Sequence, residues 1–390
     1  MNITPSARDH APPAQATLHW HREPEALGMS REALLEAAQA LEAGCASGLH
    51  PGAQLYVSRR GMSVMEFACG DSLADGPLTP DSVTAWFSSC KPITALAIAL
   101  LYQRRALDLD DRVQRFIPEF ANGKERCTVR QVLTHVGGFP NAFHDGTEFG
   151  WEEAISIICA AAAETEPGTR AAYHHSSGWY ILGELVRRID GRPIDRFVTE
   201  EIFVPLGMRE SHMGMAPARQ RMLGSRLARV ALGRSEKAPY VDESFVRRFN
   251  ATEEIARVNP GGGVRGPARD LGRFYEWLLA KGEWEGRPIL ERGTVELFTA
   301  CHRWGLPDQT LANAPLSWGL GFGLHGNSDL PTFASRRAFC HSGMVSSVGM
   351  GDPDRRLACI VITTGLLDPL GSARRLRAVT GACVRACEVP

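Results

Sequence analysis

Lysine is nearly absent from this 390-residue chain: Lys91, Lys124, Lys237 and Lys281 are the only four among 43 basic residues. With 44 acidic residues the formal net charge is -1, which excludes an electrostatic footprint for nucleic acid or an anionic membrane. No apolar stretch is long enough to span a bilayer. Met1-Asn-Ile-Thr-Pro-Ser-Ala-Arg8 lacks the apolar core of a secretory signal. The ten cysteines form no Cys-x-x-Cys pair; Cys383 and Cys387 come nearest, at helical spacing. They read as reduced, mostly buried thiols of a soluble, cytoplasmic protein. The histidines show no His-Glu-x-x-His or similar zinc spacing, so no metal site is expected. Gly261-Gly-Gly-Val-Arg-Gly266 lacks the Gly-Lys-Ser/Thr ending of a phosphate loop and reads as a turn into a helix. Neither an internal repeat nor a low-complexity segment is present.

What is there centres on Ser88-Ser89-Cys90-Lys91. Ser88 and Lys91 stand at i and i+3, which helical geometry places on one face, one turn apart. A serine nucleophile needs such a neighbour if an amine is to take or hold its proton. The following run, Thr94-Ala-Leu-Ala-Ile-Ala-Leu-Leu101, is apolar all round, so its helix is expected to be buried. Pro92 belongs in the first turn, where amide hydrogens lack intrahelical partners. Ser88 and Lys91 therefore sit at the positive end of the helix dipole, which favours a developing oxyanion. Desolvation and the dipole both push Lys91 towards the neutral amine. Cys90, at i+2 from Ser88, points elsewhere and is expected to pack.

Along the chain, residues 1–25 read as a loosely held arm, and a helical pattern starts at Ser30 with Leu34, Ala38 and Leu41 on one face. Strand-like runs at Ala53–Ser58 and Val64–Ala68 are joined through Arg59-Arg60-Gly61 as a hairpin. The middle is mainly helical. A helix over Leu271, Phe274, Tyr275 and Leu278 is entered through Gly266-Pro267, with the proline expected in its first turn. Strand character returns at Trp318–Leu324, Phe339–His341, Met344–Met350 and Leu357–Thr363, with Asp352-Pro353-Asp354 turning the last two. Ser372 to Cys387 closes as a helix. The expected fold is α/β (α+β): an antiparallel sheet from both chain termini (26–85 and 255–390), flanked by helices, around an inserted helical region (86–254). The active site is expected between the two regions.

Three further segments keep Ser88-x-x-Lys91 company in a fixed order. They are Thr128-Val-Arg-Gln-Val-Leu-Thr-His135-Val-Gly-Gly-Phe-Pro140, Glu166-Pro-Gly-Thr-Arg-Ala-Ala-Tyr173-His174-His175-Ser176, and Phe339-Cys-His341-Ser342-Gly343-Met344. With these in view the chain resembles the serine β-lactamase and penicillin-binding-protein superfamily. It is most similar to the class C β-lactamase branch with its family VIII carboxylesterase and transacylase relatives, over about residues 30 to 385. The resemblance implies a β-lactamase/transpeptidase-like fold, Ser88 as nucleophile, Lys91 as its partner, and Tyr173 as general base or proton shuttle. It implies an oxyanion hole from the amides of Ser88 and Met344, beside a substrate-flanking strand holding His341, Ser342 and Gly343. His135 is read as a core packer.

Two positions depart from the family pattern. His175 stands where the family has asparagine, so it is either a substrate contact or a polar residue starting the Ser176-capped helix; His174 shares that second reading. His341-Ser342-Gly343 replaces Lys-Thr-Gly, removing a fixed cation that would hold a β-lactam carboxylate. His341 is otherwise a plain strand residue. The reading is a serine acyl hydrolase, carboxylesterase-like, acting on a small-molecule acyl donor without a cofactor. Water as acceptor makes a hydrolase; a small amine or alcohol makes a transacylase. A β-lactamase or a non-catalytic penicillin sensor ranks below both. Whether Lys91 or Tyr173 is the principal base stays open.

Overall fold

The computed structural model describes residues 16–142, 150–324, 331 and 334–387. Most of the expected arm, residues 1–15, lies outside the described residues. Seven strands form the main antiparallel sheet: β1 (Thr17–Trp20), β2 (Gly52–Arg59), β3 (Met62–Gly70), β4 (Gly323–Leu324), β5 (Phe339–Gly343), β6 (Ser347–Asp352) and β7 (Leu357–Thr363). Their order is β1-β3-β2-β7-β6-β5-β4, so strands from early and late in the chain meet along the β2–β7 seam. Five helices carry most of the packing: α1 (Arg31–Ala46), α2 (Lys91–Gln103), α3 (Ser177–Asp190), α4 (Ala268–Leu279) and α5 (Pro369–Ala386).

The sheet is buried on both faces, which is why its central strands read as continuous apolar runs. In β7, Leu357, Cys359 and Val361 join the core under α1 and α5, while Ala358, Ile360 and Ile362 join the larger core on the opposite side. That split is the two-residue period of a strand. On that side α4 lies close because Gly272 faces the Tyr56 ring; a Cβ there would come within 2.3 Å of a ring carbon. Arg60 and Gly61 link β2 to β3, both with positive φ, as a two-residue hairpin that matches strand twist requires.

Several expectations are corrected. Thr17–Trp20, taken as part of a loose arm, pairs with β3 along its whole length. Trp318–Leu324 contributes only the two residues of β4 to the sheet. Met344 does not start a strand: with Val345 it has positive φ and forms the turn between β5 and β6. Pro267 is the N-cap of α4, one place before its first turn. The glycine run 261–263 leads first into a short strand, Val264–Gly266, which pairs with Thr84–Ala85 and His212–Met213 in a small separate sheet. No helix among the described residues is long and apolar enough to cross a membrane.

Candidate active site

Helix α2 is buried from Lys91 to Leu101, as its apolar sequence demands, and Pro92 stands in its first turn. A single 3-10 turn, Phe87–Cys90, precedes it and carries Ser88. Phe87 has a φ of 49°, an uncommon value for a non-glycine residue, costing about 1–3 kcal/mol. The turn is held against the sheet. Ser89 Oγ donates to the carbonyl of His341 at 2.9 Å and lies 2.9 Å from Ser347 Oγ, which donates to the Trp86 carbonyl at 2.8 Å. Gly343 permits this approach, since a Cβ would sit 2.2 Å from the Trp86 carbonyl oxygen.

Lys91 Nζ lies 2.7 Å from Ser88 Oγ, 2.9 Å from the carbonyl oxygen of His175 and 2.6 Å from that of Gly261. The side chain is buried, and Nζ stands 5.3 Å from the Tyr173 ring centroid. Two elements far apart in sequence thus deliver backbone oxygens to one amine. Gly261 is a glycine for that reason, because a Cβ would fall 2.7 Å from the His175 oxygen.

Tyr173 is buried in a ring cluster of His135, His175, Trp318 and His341, with centroids 4.6, 5.1, 5.8 and 6.1 Å away. His135 therefore does more than pack a distant core: it lies against Tyr173, and its Nδ1 accepts the His174 amide at 3.1 Å. The Tyr173 amide donates to Asp308 Oδ1 at 3.0 Å and to Thr310 Oγ1 at 2.8 Å. Asn141 Nδ2 donates to the Tyr173 carbonyl at 3.2 Å and lies 3.4 Å from His175 Nδ1.

Burial is the chief force on the imidazoles. It pushes His341 down to about 3 and His174 down to about 4. His135 is pushed well below its usual value by burial and then by Arg303. His341 Nδ1 lies 2.7 Å from the Ser342 carbonyl, so in the neutral ring Nδ1 carries the proton and Nε2 is an acceptor. His174 is buried with Nε2 donating to the Phe139 carbonyl at 2.7 Å, which makes it a structural ring. Cys90 is fully buried, its thiol pushed up to about 11, as a packing residue.

The structure thus brings Ser88, Lys91, Tyr173, His175 and His341 into one cluster. Ser88 and Met344 line an open cleft whose enclosed space is about 20 Å³. Ser342 and Gly343 complete β5 beside it. Ser89, Asn141, Gly261, Asp308 and Ser347 were not foreseen. Only the glycine run carried a signal, since three consecutive glycines mark close backbone approach. No group of three or more metal-ligating side chains occurs among the described residues.

Comparison with known proteins gives this geometry its context. The chain is 28% identical to the esterase/beta-lactamase LipL of Mycobacterium tuberculosis (strain ATCC 25618 / H37Rv) over 320 residues, covering 75% of this chain and 72% of that protein. It is 24% identical to a putative D-alanyl-D-alanine carboxypeptidase of Escherichia coli (strain K12), covering 72% and 68%. Among solved structures, a penicillin-binding protein homolog from Caulobacter crescentus superposes with a TM-score of 0.76 at 26% identity, over 91% of this chain and 99% of that one. A family VIII carboxylesterase shares the fold at the same TM-score and coverage, with 23% identity. The beta-lactamase family model matches residues 37–382, and the chain belongs to that family.

Proposed function

We propose that this chain is a serine acyl hydrolase of the esterase type, with Ser88 carrying the acyl group. The observation that supports it most is the 2.7 Å contact between Lys91 Nζ and Ser88 Oγ, made by a buried amine. A neutral lysine amine has two N–H bonds and one lone pair. The carbonyls of His175 and Gly261 suit the two N–H bonds, and the lone pair suits the Ser88 hydroxyl.

In this reading Ser88 Oγ attacks an ester carbonyl as its proton passes to Lys91, with Tyr173 as the alternative acceptor. The oxyanion forms between the amides of Ser88 and Met344, at the start of α2. Collapse expels the alcohol, which leaves with a proton returned from the Lys91–Tyr173 pair. Water then takes the acyl group by the same steps. An amine or alcohol in place of water would make the protein a transacylase without any change in the first half-reaction. His341 favours neutral esters over β-lactams: a buried neutral imidazole supplies no cation for a substrate carboxylate.

Intact-mass spectrometry with p-nitrophenyl acetate or butyrate tests the reading. The expected result is an acyl adduct that peptide mapping places on Ser88 and that Ser88→Ala abolishes. An adduct on Cys90, or turnover that survives Ser88→Ala, overturns it. Adding a small amine and looking for the amide separates transfer from hydrolysis.

A further inference from the structure

The cleft beside Ser88 has an aromatic wall that belongs to none of the groups assigned above. Phe87 stacks on Phe249 with centroids 4.4 Å apart and an interplanar angle of 19°. Phe249 in turn lies near-parallel to Phe245 at 5.7 Å and 12°. Phe245 and Phe249 come from one short helix, Glu243–Phe249, held at its start by Asp242, whose side chain accepts the Phe245 amide at 2.9 Å. Arg265 backs the wall: its guanidinium lies 4.6 Å from the Phe249 centroid and donates to the Phe249 carbonyl at 3.0 Å. All three phenylalanines line the cleft together with Ser88 and Met344.

The position of this wall settles which part of a substrate it meets. Tyr173, His175, His341 and Trp318 lie outside the lining, in the ring cluster around Tyr173. A group that returns a proton to the departing alcohol must face that alcohol, so the leaving group belongs on the Tyr173 side. The carbonyl substituent then falls on the phenylalanine side. Arg248 and Glu254 also line the cleft, and Glu254 is paired with Arg257 at 3.4 Å. The enclosed space, about 20 Å³, is room for one water, so an acyl group rests against the open face of this wall and a long chain finds no tunnel to enter. Aromatic edges and faces reward an aryl group beyond its buried area.

Resting on the Ser88 acyl-enzyme proposed above, we infer that Phe87, Phe249 and Phe245 form the acyl-side wall of the site and select aryl-bearing acyl donors. The wall has a second duty. Phe87 adjoins the nucleophile and holds a left-handed backbone conformation, so its stacking on Phe249 also steadies the turn that presents Ser88.

The test uses one leaving group and several acyl groups: p-nitrophenyl acetate, phenylacetate and decanoate on the full chain. Phenylacetate is expected to exceed acetate by about tenfold or more in kcat/KM, with decanoate below acetate. Phe249→Ala should collapse the phenylacetate-to-acetate ratio, and Phe249→Leu, which keeps the volume, should lower it less. A second series holds the acetyl group constant and varies the alcohol; there the two variants should leave the ranking of alcohols as in the parent. A flat or decanoate-first acyl profile overturns the inference while leaving the Ser88 reading intact, as does a Phe249 effect that follows the alcohol. Failure to turn over any ester sinks the Ser88 reading and this inference with it.

Discussion

The carboxylate of Asp308 accepts the backbone amide of Tyr173 through Oδ1 at 3.0 Å and the guanidinium of Arg303 through Oδ2 at 3.1 Å. Arg303 in turn donates to the carbonyl of Thr134, next to His135. One buried ion pair therefore ties together the two segments that supply Tyr173 and the ring packed against it. Removing one partner strands the other in the interior. Asp308→Ala is expected to cost about 3–5 kcal/mol of stability by urea denaturation. Asp308→Ala/Arg303→Met should recover part of that loss, and strictly additive losses would contradict the coupling.

Acid should weaken the fold through the histidines around the site. His174 and His341 are pushed down to about 4 and about 3, and His135 well below its usual value, all chiefly by burial. Unfolded, each titrates near 6.5. A depressed folded value means the stabilisation is fully present above about pH 6.5 and is lost as pH falls through the folded values. Between about pH 6 and 4 each ring adds up to about 1.4 kcal/mol per pH unit to the slope. Urea midpoints at pH 7, 5.5 and 4.5 should fall steadily, and His341→Gln should flatten the trend. Equal midpoints across that range would be inconsistent with neutral buried rings.

Lys91→Met keeps the length of the side chain and removes its donors and its lone pair. The rate of ester turnover is expected to fall by roughly 10²–10⁴. The loss should appear in kcat with little change in KM, because the amine meets the serine and not the bound ester. A variant that retained most of kcat would move the proton chemistry to Tyr173 alone.

Gly343→Ala tests how closely the nucleophile turn rests on β5. The new methyl would meet the Trp86 carbonyl and Ser347 Oγ at 2.2 and 2.4 Å, both fixed by the packing around them. Overpacking of this kind costs typically about 1–3 kcal/mol, and here it also displaces the segment bearing Ser88. Melting temperature and kcat should drop together, while Gly293→Ala, at an open site in a helix, serves as the silent control.

Away from the site, Cys45 and Cys69 hold their sulfurs 3.5 Å apart. The hydrogen bond from Cys69, with help from His50, holds the half-buried Cys45 thiol below its ordinary value, while Cys69 is pushed up. Cys45 should thus be alkylated first by iodoacetamide at pH 6, ahead of the more exposed Cys301. Mapping that found Cys301 modified first would refute the thiolate assignment.

The nucleophile turn was readable because its signals are local: a proline in the first turn, an apolar helix behind it, and the i, i+3 spacing of Ser88 and Lys91. The antiparallel sheet was readable from the alternating and continuous apolar runs around β2, β3 and β7. What stayed hidden depends on distance or on the backbone. The carbonyls of His175 and Gly261 that meet Lys91 are backbone oxygens, which every residue carries, so no side chain marks them. Asp308 and Asn141 reach Tyr173 across long stretches of chain and look like ordinary loop residues. Met344 was placed in a strand because its apolar neighbours fit one, whereas its left-handed turn is imposed by the hairpin geometry without a glycine to mark it. Thr17–Trp20 was missed because a four-residue edge strand leaves too short a pattern.

The amide of Gly52 and the hydroxyl of Thr364 are joined by a hydrogen bond that spans 312 positions along the chain. Contacts of that range are slow to find, because closing so long a loop costs entropy before any pairing rewards it. During synthesis the β2–β3 hairpin must therefore wait, one flank unpaired, until the segment to residue 364 has left the ribosome. The waiting edge leaves unpaired the β2 backbone groups that β7 will later meet, and chaperone capture or aggregation would be concentrated in that interval.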